Sequence, residues 1–373
     1  MSKLKNSYSA PGKLFISGEW AILEVGNFGL VAAVNNRVRV SIEPAGHTSV
    51  TAAEFGIQDA KAHYESGKIS FPDIDDRQKD TLKLLGEALS VSLRYLEENG
   101  TAAKHFHLST SSKDTQFEVN GELKKVGFGS SAAVVVATVA AVLDFHGYAA
   151  TKDEIYKLST IAHYYAQGKV GSAFDVAAST YGGLFVYSRF DPQWLTKNVE
   201  AGGSLKNIVN QEWPSLVIEE MDVPNNFELL VGWTGESAST SAAIKQMNEF
   251  KARNSEEYFR LYNNIASVAG RAIEKFKSGN NDDFLECLKE NEKALRELGE
   301  ASGVNIETPE LWKLSEIAAD YGAAGKLSGA GGGDCGIAVC FDDVTANNIM
   351  AAWQDEGLVP LDVTIDRHGV RKD

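Results

Sequence analysis

The sequence predicts a mixed α+β protein with two core-forming units, and three observations carry that expectation. The early part alternates β-branched and polar residues, the stretch after residue 240 has helical periodicity, and each half holds a glycine-rich loop. At 373 residues the chain also exceeds what one hydrophobic core usually organises. The expected division is 1–190 and 191–373.

Residues 7–45 read as strands, with VAAVNNRVRVSIEP (31–44) as the clearest case. A polar stretch follows to about residue 78, with no element assigned. KDTLKLLGEALSVSLRYLEEN (79–99) predicts a helix closed by Gly100. HFHLSTS (105–111) reads as a strand, and QFEVNGELKK (116–125) as a hairpin turning at Asn120-Gly121. The apolar run after Gly129 predicts a buried helix, 153–167 a second helix, and 182–190 a strand. Residues 191–226 read as a long irregular connection. A strand at 227–233, helices over 240–321, a strand at 335–341, a helix near 343–356 and a strand at 361–366 complete the chain.

Composition excludes several function classes. No run of about 18 apolar residues suggests a membrane-spanning helix, and MSKLKNSYSAPGK has no apolar leader. Cys287, Cys335 and Cys340 show neither metal-ligand nor CxxC spacing, so a reducing cytoplasm is expected. A net charge of −15 opposes nucleic acid and anionic membrane as partners. Any phosphate ligand then requires lysines gathered locally.

KKVGFGSSAAVVVATVAAVL (124–143) is the segment most suited to phosphate. Gly127 and Gly129 permit close backbone approach, and Ser130 and Ser131 stand where a helix begins. Unsatisfied N–H groups and the helix dipole favour an anion there. The serine hydroxyls can bond phosphate or ligate Mg²⁺, and Lys124 and Lys125 are near in sequence. Gly127-x-Gly129-x-x-Ala132 also fits a dinucleotide fingerprint, but a helical segment stands where that fold needs a strand ending in an acid. No Gly-Lys-Ser/Thr follows, so it is not a Walker A loop. A capping serine on a core helix is the bland alternative.

In GAGGGD (329–334) three consecutive glycines imply close approach of a ligand or another backbone, with Lys326 and Ser328 at the loop's mouth. Lys13 with Glu19 beyond it, Asp175 within GSAFDVA, and the hydroxyl-rich turn 234–240 are further polar candidates. Asp175 reads equally as an N-cap or a functional carboxylate, and His163 reads as a packing residue.

Together, APGKLFISGEW, GFGSSAA, GSAFDVAASTYGG and LSGAGGGDCGIA occur in the order found in the GHMP kinase superfamily, and the chain resembles that superfamily from residue 10 to 340. Within it the chain is most similar to the phosphomevalonate kinases, through GELKK before the loop, VGWTGESAST, and Asp334-Cys335. It departs at Phe128, usually Leu, at Ala173, often Gly, and at Tyr164, where mevalonate kinases carry a metal-ligating Glu.

The resemblance implies a two-domain fold, with an N-terminal part like ribosomal protein S5 domain 2 and a helix-rich α/β C-terminal part. It implies ATP-dependent phosphorylation of (R)-5-phosphomevalonate in isoprenoid synthesis. Lys13 and Asp175 would be catalytic. Gly127, Gly129, Ser130, Ser131 and Ala132 would bind ATP, with Mg²⁺ on Ser130 and Ser131. Ser172, Ser239, Thr240, Lys326, Ser328, Gly329 and Gly331 would bind the acceptor. Lys124, Lys125, Lys169 and Lys326 would offset repulsion between two anionic substrates. The expected partners are the two substrates, the chain acting as a monomer or homodimer. Another GHMP kinase with an alcohol acceptor, a mevalonate 3-phosphate 5-kinase, or a non-catalytic sensor of the same fold are the alternatives.

Overall fold

Sixteen consecutive residues from Gly29 to Pro44 hold an extended conformation, long enough to carry three partner strands. The first unit is built on that strand. The computed structural model describes residues 5–119, 121–235 and 240–373. The larger sheet contains β1 (Asn6–Ser17), β2 (Gly29–Pro44), β3 (Ser49–Ala52) and β4 (Ile57–Lys61). A detached hairpin, β5 (His63–Glu65) and β6 (Lys68–Ser70), comes next. Two helices, α1 (Asp76–Thr81) and α2 (Lys83–Glu98), lead to β7 (Phe106–Ser111) and a second hairpin, β8 (Gln116–Val119) with β9 (Glu122–Lys125). Asn120, expected at that turn, lies outside the described residues.

Helix α3 (Ser130–Phe145) has 11 buried residues among its 16, including Val135, Val139 and Leu143. A helix apolar on every side must be covered on every side. It packs on β1 and β2 below and on α2, α4 (Lys152–Ala166) and α5 (Phe174–Tyr181) around it. β10 (Leu184–Ser188) then pairs with the start of β2, while β7 pairs with its end and β1 runs along its other edge.

The segment 191–226 is not an irregular connection. It forms α6 (Pro192–Glu200), α7 (Leu205–Val209) and β11 (Val217–Met221). The start signals were present. Asp191 accepts from the Gln193 and Trp194 N–H groups ahead of Pro192, and Ser204 caps α7. Leu195, Ile208 and Trp213 join the first unit's core, and β11 pairs with β10. The polar stretch before residue 78 likewise holds β3 to β6, which at three to five residues each are too short to show a hydrophobic period.

The second unit is an antiparallel sheet of β12 (Glu228–Trp233), β13 (Ala324–Leu327), β14 (Cys335–Cys340) and β15 (Val359–Leu361), ordered β13-β14-β12-β15. Its helices are α8 (Thr240–Arg253), α9 (Ser255–Lys277), α10 (Asn281–Ser302), α11 (Pro309–Asp320) and α12 (Asp343–Asp355). β13 was not expected from sequence, so the glycine-rich loop joins two strands rather than a helix and a strand. A Cβ on Gly325 would lie 2.6 Å from Ser315 Cα, which shows that α11 packs directly on the β13 backbone.

The strand expected at 361–366 is confined to Val359–Leu361. Ile365 instead bridges to Val34, and the tail returns to the first unit, where β16 (Arg371–Lys372) pairs with β1. Buried Arg37 holds this return by pairing with Asp366 and donating to the Ser9 and Gly369 carbonyls. The sheets therefore do not divide at residue 190. The first unit keeps the chain through β11 and takes back its end.

Inside the second unit, Glu292 on α10 and Glu307 before α11 lie together beside Arg296, with side chains 13% and 5% exposed. Burial, and then the Glu292 carboxylate, push the Glu307 carboxyl up to about 8; burial also raises Glu292. A carboxyl raised in the folded state favours folding while protonated and loses that contribution as pH rises through the raised value. Thermal melts should therefore show Tm falling between about pH 5 and pH 9, and Glu307→Gln should flatten that fall.

Candidate active site

Two adjacent residues of β1 shape the phosphate loop. A register shift at Pro11/Gly12 bends the strand, and a Cβ on Gly12 would lie 2.6 Å from the Phe128 carbonyl oxygen. Lys13 N–H donates to that same carbonyl at 2.8 Å, and Lys13 Nζ donates to the Gly127 carbonyl at 2.9 Å. Lys13 thus sits in mid-strand rather than at a strand start. Phe128 is buried against Phe117 in an apolar core built by residues of both sheets, so the aromatic residue anchors the loop.

The glycine-rich loop closes on the same place. Gly127 N–H donates to Asp334 Oδ1 at 3.1 Å, and a Cβ on Gly127 would lie 1.7 Å from Asp334 Oδ2. Asp334 is itself held at a φ of +64°, and its carbonyl accepts from the Thr234 N–H and hydroxyl. Burial raises the Asp334 carboxyl above its ordinary value, with the Gly127 N–H and Lys13 opposing the shift.

Helix α3 begins at Gly129, whose φ is +82°, with no side chain capping its first turn. The capping-serine alternative therefore fails: Ser130 and Ser131 are helical residues whose hydroxyls are turned to other uses. Helix α5 begins in the same way at Ala173, where φ is +62° and no side chain caps. Glycine adopts that conformation freely and alanine does not. Asp175 is not the cap. Its Oδ1 accepts from the Val176 N–H at 3.0 Å, and its Oδ2 lies 3.9 Å from His163 Nε2.

A cavity of about 1070 Å³ opens between these elements. Of the residues expected to act, Lys13, Gly127, Gly129, Ser130, Ser131, Ser172, Asp175, Thr240 and Gly329 line it. Ser172 is the best placed of the acceptor-side hydroxyls, being buried with an Oγ that has no protein partner. Ala132 lies buried in α3 behind the loop, bonded to the Gly129 carbonyl. Ser239 lies outside the described residues.

Several expected ligand contacts are structural instead. Lys326 is fully buried and pairs with Glu19, so it does not face a substrate. The Ser328 hydroxyl both accepts from Phe15 N–H and donates to Phe15 carbonyl, tying the glycine-rich loop to β1. Gly331 serves a backbone approach: Gly332 N–H donates to the Ile306 carbonyl, and a Cβ on Gly331 would lie 1.9 Å from that oxygen. Lys124 pairs with Glu122 and Lys169 with Glu200. No ion pair joins Lys13 to Asp175 among the described residues.

His163, read from sequence as a packing residue, and Tyr164, noted there only as a departure, also line the cavity, as do Gln167 and Lys245, which sequence reasoning missed. The first three stand at the last turn and C-cap of α4, and that helical spacing was the available signal. Lys245 gave none, because only the packing of α8 turns it inward.

The donors suit a Mg²⁺ that arrives with nucleotide phosphates. Two serine hydroxyls and Asp175 Oδ2 are the nearby oxygens, and no cluster of three metal-ligating acids, histidines or cysteines occurs among the described residues. Mg²⁺ typically takes one or two protein oxygens and completes its shell with phosphate and water.

Residues 92–183 match the family described as GHMP kinases N terminal domain, and residues 272–358 match GHMP kinases C terminal. A phosphomevalonate kinase from Streptomyces sp. (strain CL190) is 32% identical over 97% of both chains. This chain belongs to the GHMP kinases. Among solved structures, the GHMP kinase described here resembles a Lin0012 protein from Listeria innocua, with a TM-score of 0.89, 28% identity and 99% of each chain covered. It also resembles Streptococcus pneumoniae phosphomevalonate kinase in complex with phosphomevalonate and AMPPNP, with a TM-score of 0.81 and 26% identity over 96% of this chain and 99% of that one.

The two glycine roles of this kinase's glycine-rich loop are separable. Gly331→Ala should cost roughly 2 kcal/mol or more, since a positive φ and a backbone clash combine. Gly329→Ala, whose Cβ would meet nothing within 4 Å, should cost about half as much. Chemical denaturation of the two variants checks the difference.

Proposed function

We propose that this GHMP kinase transfers the γ-phosphoryl group of ATP to (R)-5-phosphomevalonate, giving 5-diphosphomevalonate and ADP. One observation carries the reading: a single cavity joins the uncapped α3 terminus and Lys13 to Ser172, Asp175, Thr240 and Lys245. The full-length likeness to phosphomevalonate kinases supports the same acceptor. Three free, buried cysteines suit a reducing cytoplasm, and no described helix is long and apolar enough to cross a membrane.

Phosphoryl transfer depends on positioning and charge stabilisation. The α3 terminus, with Gly127 and Gly129, would hold the nucleotide phosphates. Mg²⁺ on Ser130, Ser131 and Asp175 would neutralise phosphate charge. The bond between γ-phosphorus and the β,γ-bridging oxygen breaks as an acceptor phosphate oxygen bonds to that phosphorus. A phosphate monoester has a second pKa near ~6, so at neutral pH this oxygen is already largely ionised and needs no strong base. Lys13 is the cation beside the loop and stabilises the transferring group.

Lys245 is exposed, makes no ion pair among the described residues and faces the cavity, so it is suited to the acceptor's phosphate. An alcohol acceptor finds less support. Tyr164 stands in the cavity wall where mevalonate kinases carry a carboxylate.

ADP release with 5-phosphomevalonate and not with mevalonate is the expected outcome of an acceptor panel; the reverse preference rejects the reading. Lys13→Met should lower kcat more than Asp175→Asn, because the acceptor is already ionised. Lys245→Met should raise KM for phosphomevalonate about tenfold, equivalent to ~1.4 kcal/mol, and leave KM for ATP unchanged in steady-state assays.

A further inference from the structure

Lys124, Lys169 and Lys326 are committed to Glu122, Glu200 and Glu19, and neither Lys13 nor Lys245 pairs with Asp175 among the described residues. Beside the Asp175 carboxylate stands His163, which is 4% exposed. Its Nε2 lies 3.3 Å from Ser131 Oγ, 3.9 Å from Asp175 Oδ2 and 3.1 Å from Gln167 Nε2. Ser131 belongs to α3 and Asp175 to α5, while His163 is in the last turn of α4 and Gln167 caps its end one turn on. Among the described residues, no other side chain hydrogen-bonds or ion-pairs with either Ser131 or Asp175.

We propose that His163 is a positioning residue that ties the Ser131 hydroxyl and the Asp175 carboxylate into one unit. The need for it follows from the site's chemistry. A serine in a helix's first turn has several staggered rotamers, and only a fixed one presents its oxygen steadily to the nucleotide side. An aspartate in a cavity that admits two phosphates is repelled by both and tends to swing away. One ring nitrogen between them bears on both orientations: an Nε2–H donated to Ser131 Oγ leaves the hydroxyl proton free, and the same N–H dipole, 3.9 Å from Asp175 Oδ2, attracts that carboxylate without bonding it. Gln167 is exposed, and its amide N–H can bond this nitrogen only in the other tautomer, so the Gln167 contact and the Ser131 bond from Nε2–H exclude each other. The kinetic consequence rests on the kinase reading above; the geometric unit does not.

Two measurements on the full chain test this. The first is kinetic, with whichever acceptor the wild type phosphorylates. His163→Leu keeps the volume and removes the nitrogen, and should lower kcat roughly 10–100-fold with KM values changed by less than about threefold. His163→Gln returns a polar atom near Nε2 and should restore most of the loss. In an Asp175→Asn background, His163→Leu should cost much less, since the unit is already broken. An equal loss in both backgrounds, or a raised KM at constant kcat, overturns the proposal.

The second is spectroscopic and needs no turnover. In protein labelled with ¹⁵N-histidine, the His163 Nε2 resonance should shift on Asp175→Asn and again on Ser131→Ala. A resonance that moves with neither overturns the proposal whatever the acceptor. A wild type that turns over no acceptor rejects the kinase reading alone and leaves this resonance to decide the role of His163.

Discussion

The backbone of β1 is the constraint on which the site depends. From Pro11 to Ser17, and on to Glu19 just past its end, it meets α3, α5, α10 and the glycine-rich loop. The Pro11 carbonyl accepts from Ser179 of α5, which seats the helix bearing Asp175. Gly12 and Lys13 meet the phosphate loop, Phe15 meets Ser328, Ser17 meets Asn291 of α10, and Glu19 meets Lys326. These contacts along one strand and its end bring together segments as far apart as residues 15 and 328. A strand suits this task because its alternating directions reach both units at once. The side chains of Phe15 and Leu14 accordingly enter different cores.

Charge is distributed with similar economy in an acidic chain. Most lysines that look available by sequence are neutralised by carboxylates nearby in space, and Lys326 is buried outright. A buried lysine beside Glu19 stabilises the join between β1 and β13 only because the pair is intact; breaking it would leave one buried charge. The cations left facing the cavity, Lys13 and Lys245, stand against Glu19, Asp175 and Glu249. A site for two anionic substrates therefore relies on N–H groups and a few well-held cations rather than on a broad basic patch.

The legible parts of the fold were those with long periods or strict local chemistry. β2, α3 and α4 were readable because sixteen or fifteen residues of one pattern outweigh local noise. The short strands β3 to β6 and the segment from α6 to β11 were not, since their order comes from docking on a core formed elsewhere. β13 escaped for a different reason: its small residues reflect contact with α11, which local sequence does not display.

By itself the sequence determined the fold class and the four ordered motifs, together with Lys13, Asp175 and the serines at the start of α3. Those depend on residue type at short spacing, which a linear chain records directly. Tertiary structure alone decided which polar residues face the cavity. It withdrew Lys326, Ser328 and Gly331 into packing and brought in His163 and Lys245. It also set the limits of the two units, because β11 joins β10 across the expected boundary and the chain's end pairs with β1 at its beginning. The physical reason is the same in each case: a side chain's partner is chosen by distance in space, and burial sets how strongly the two interact.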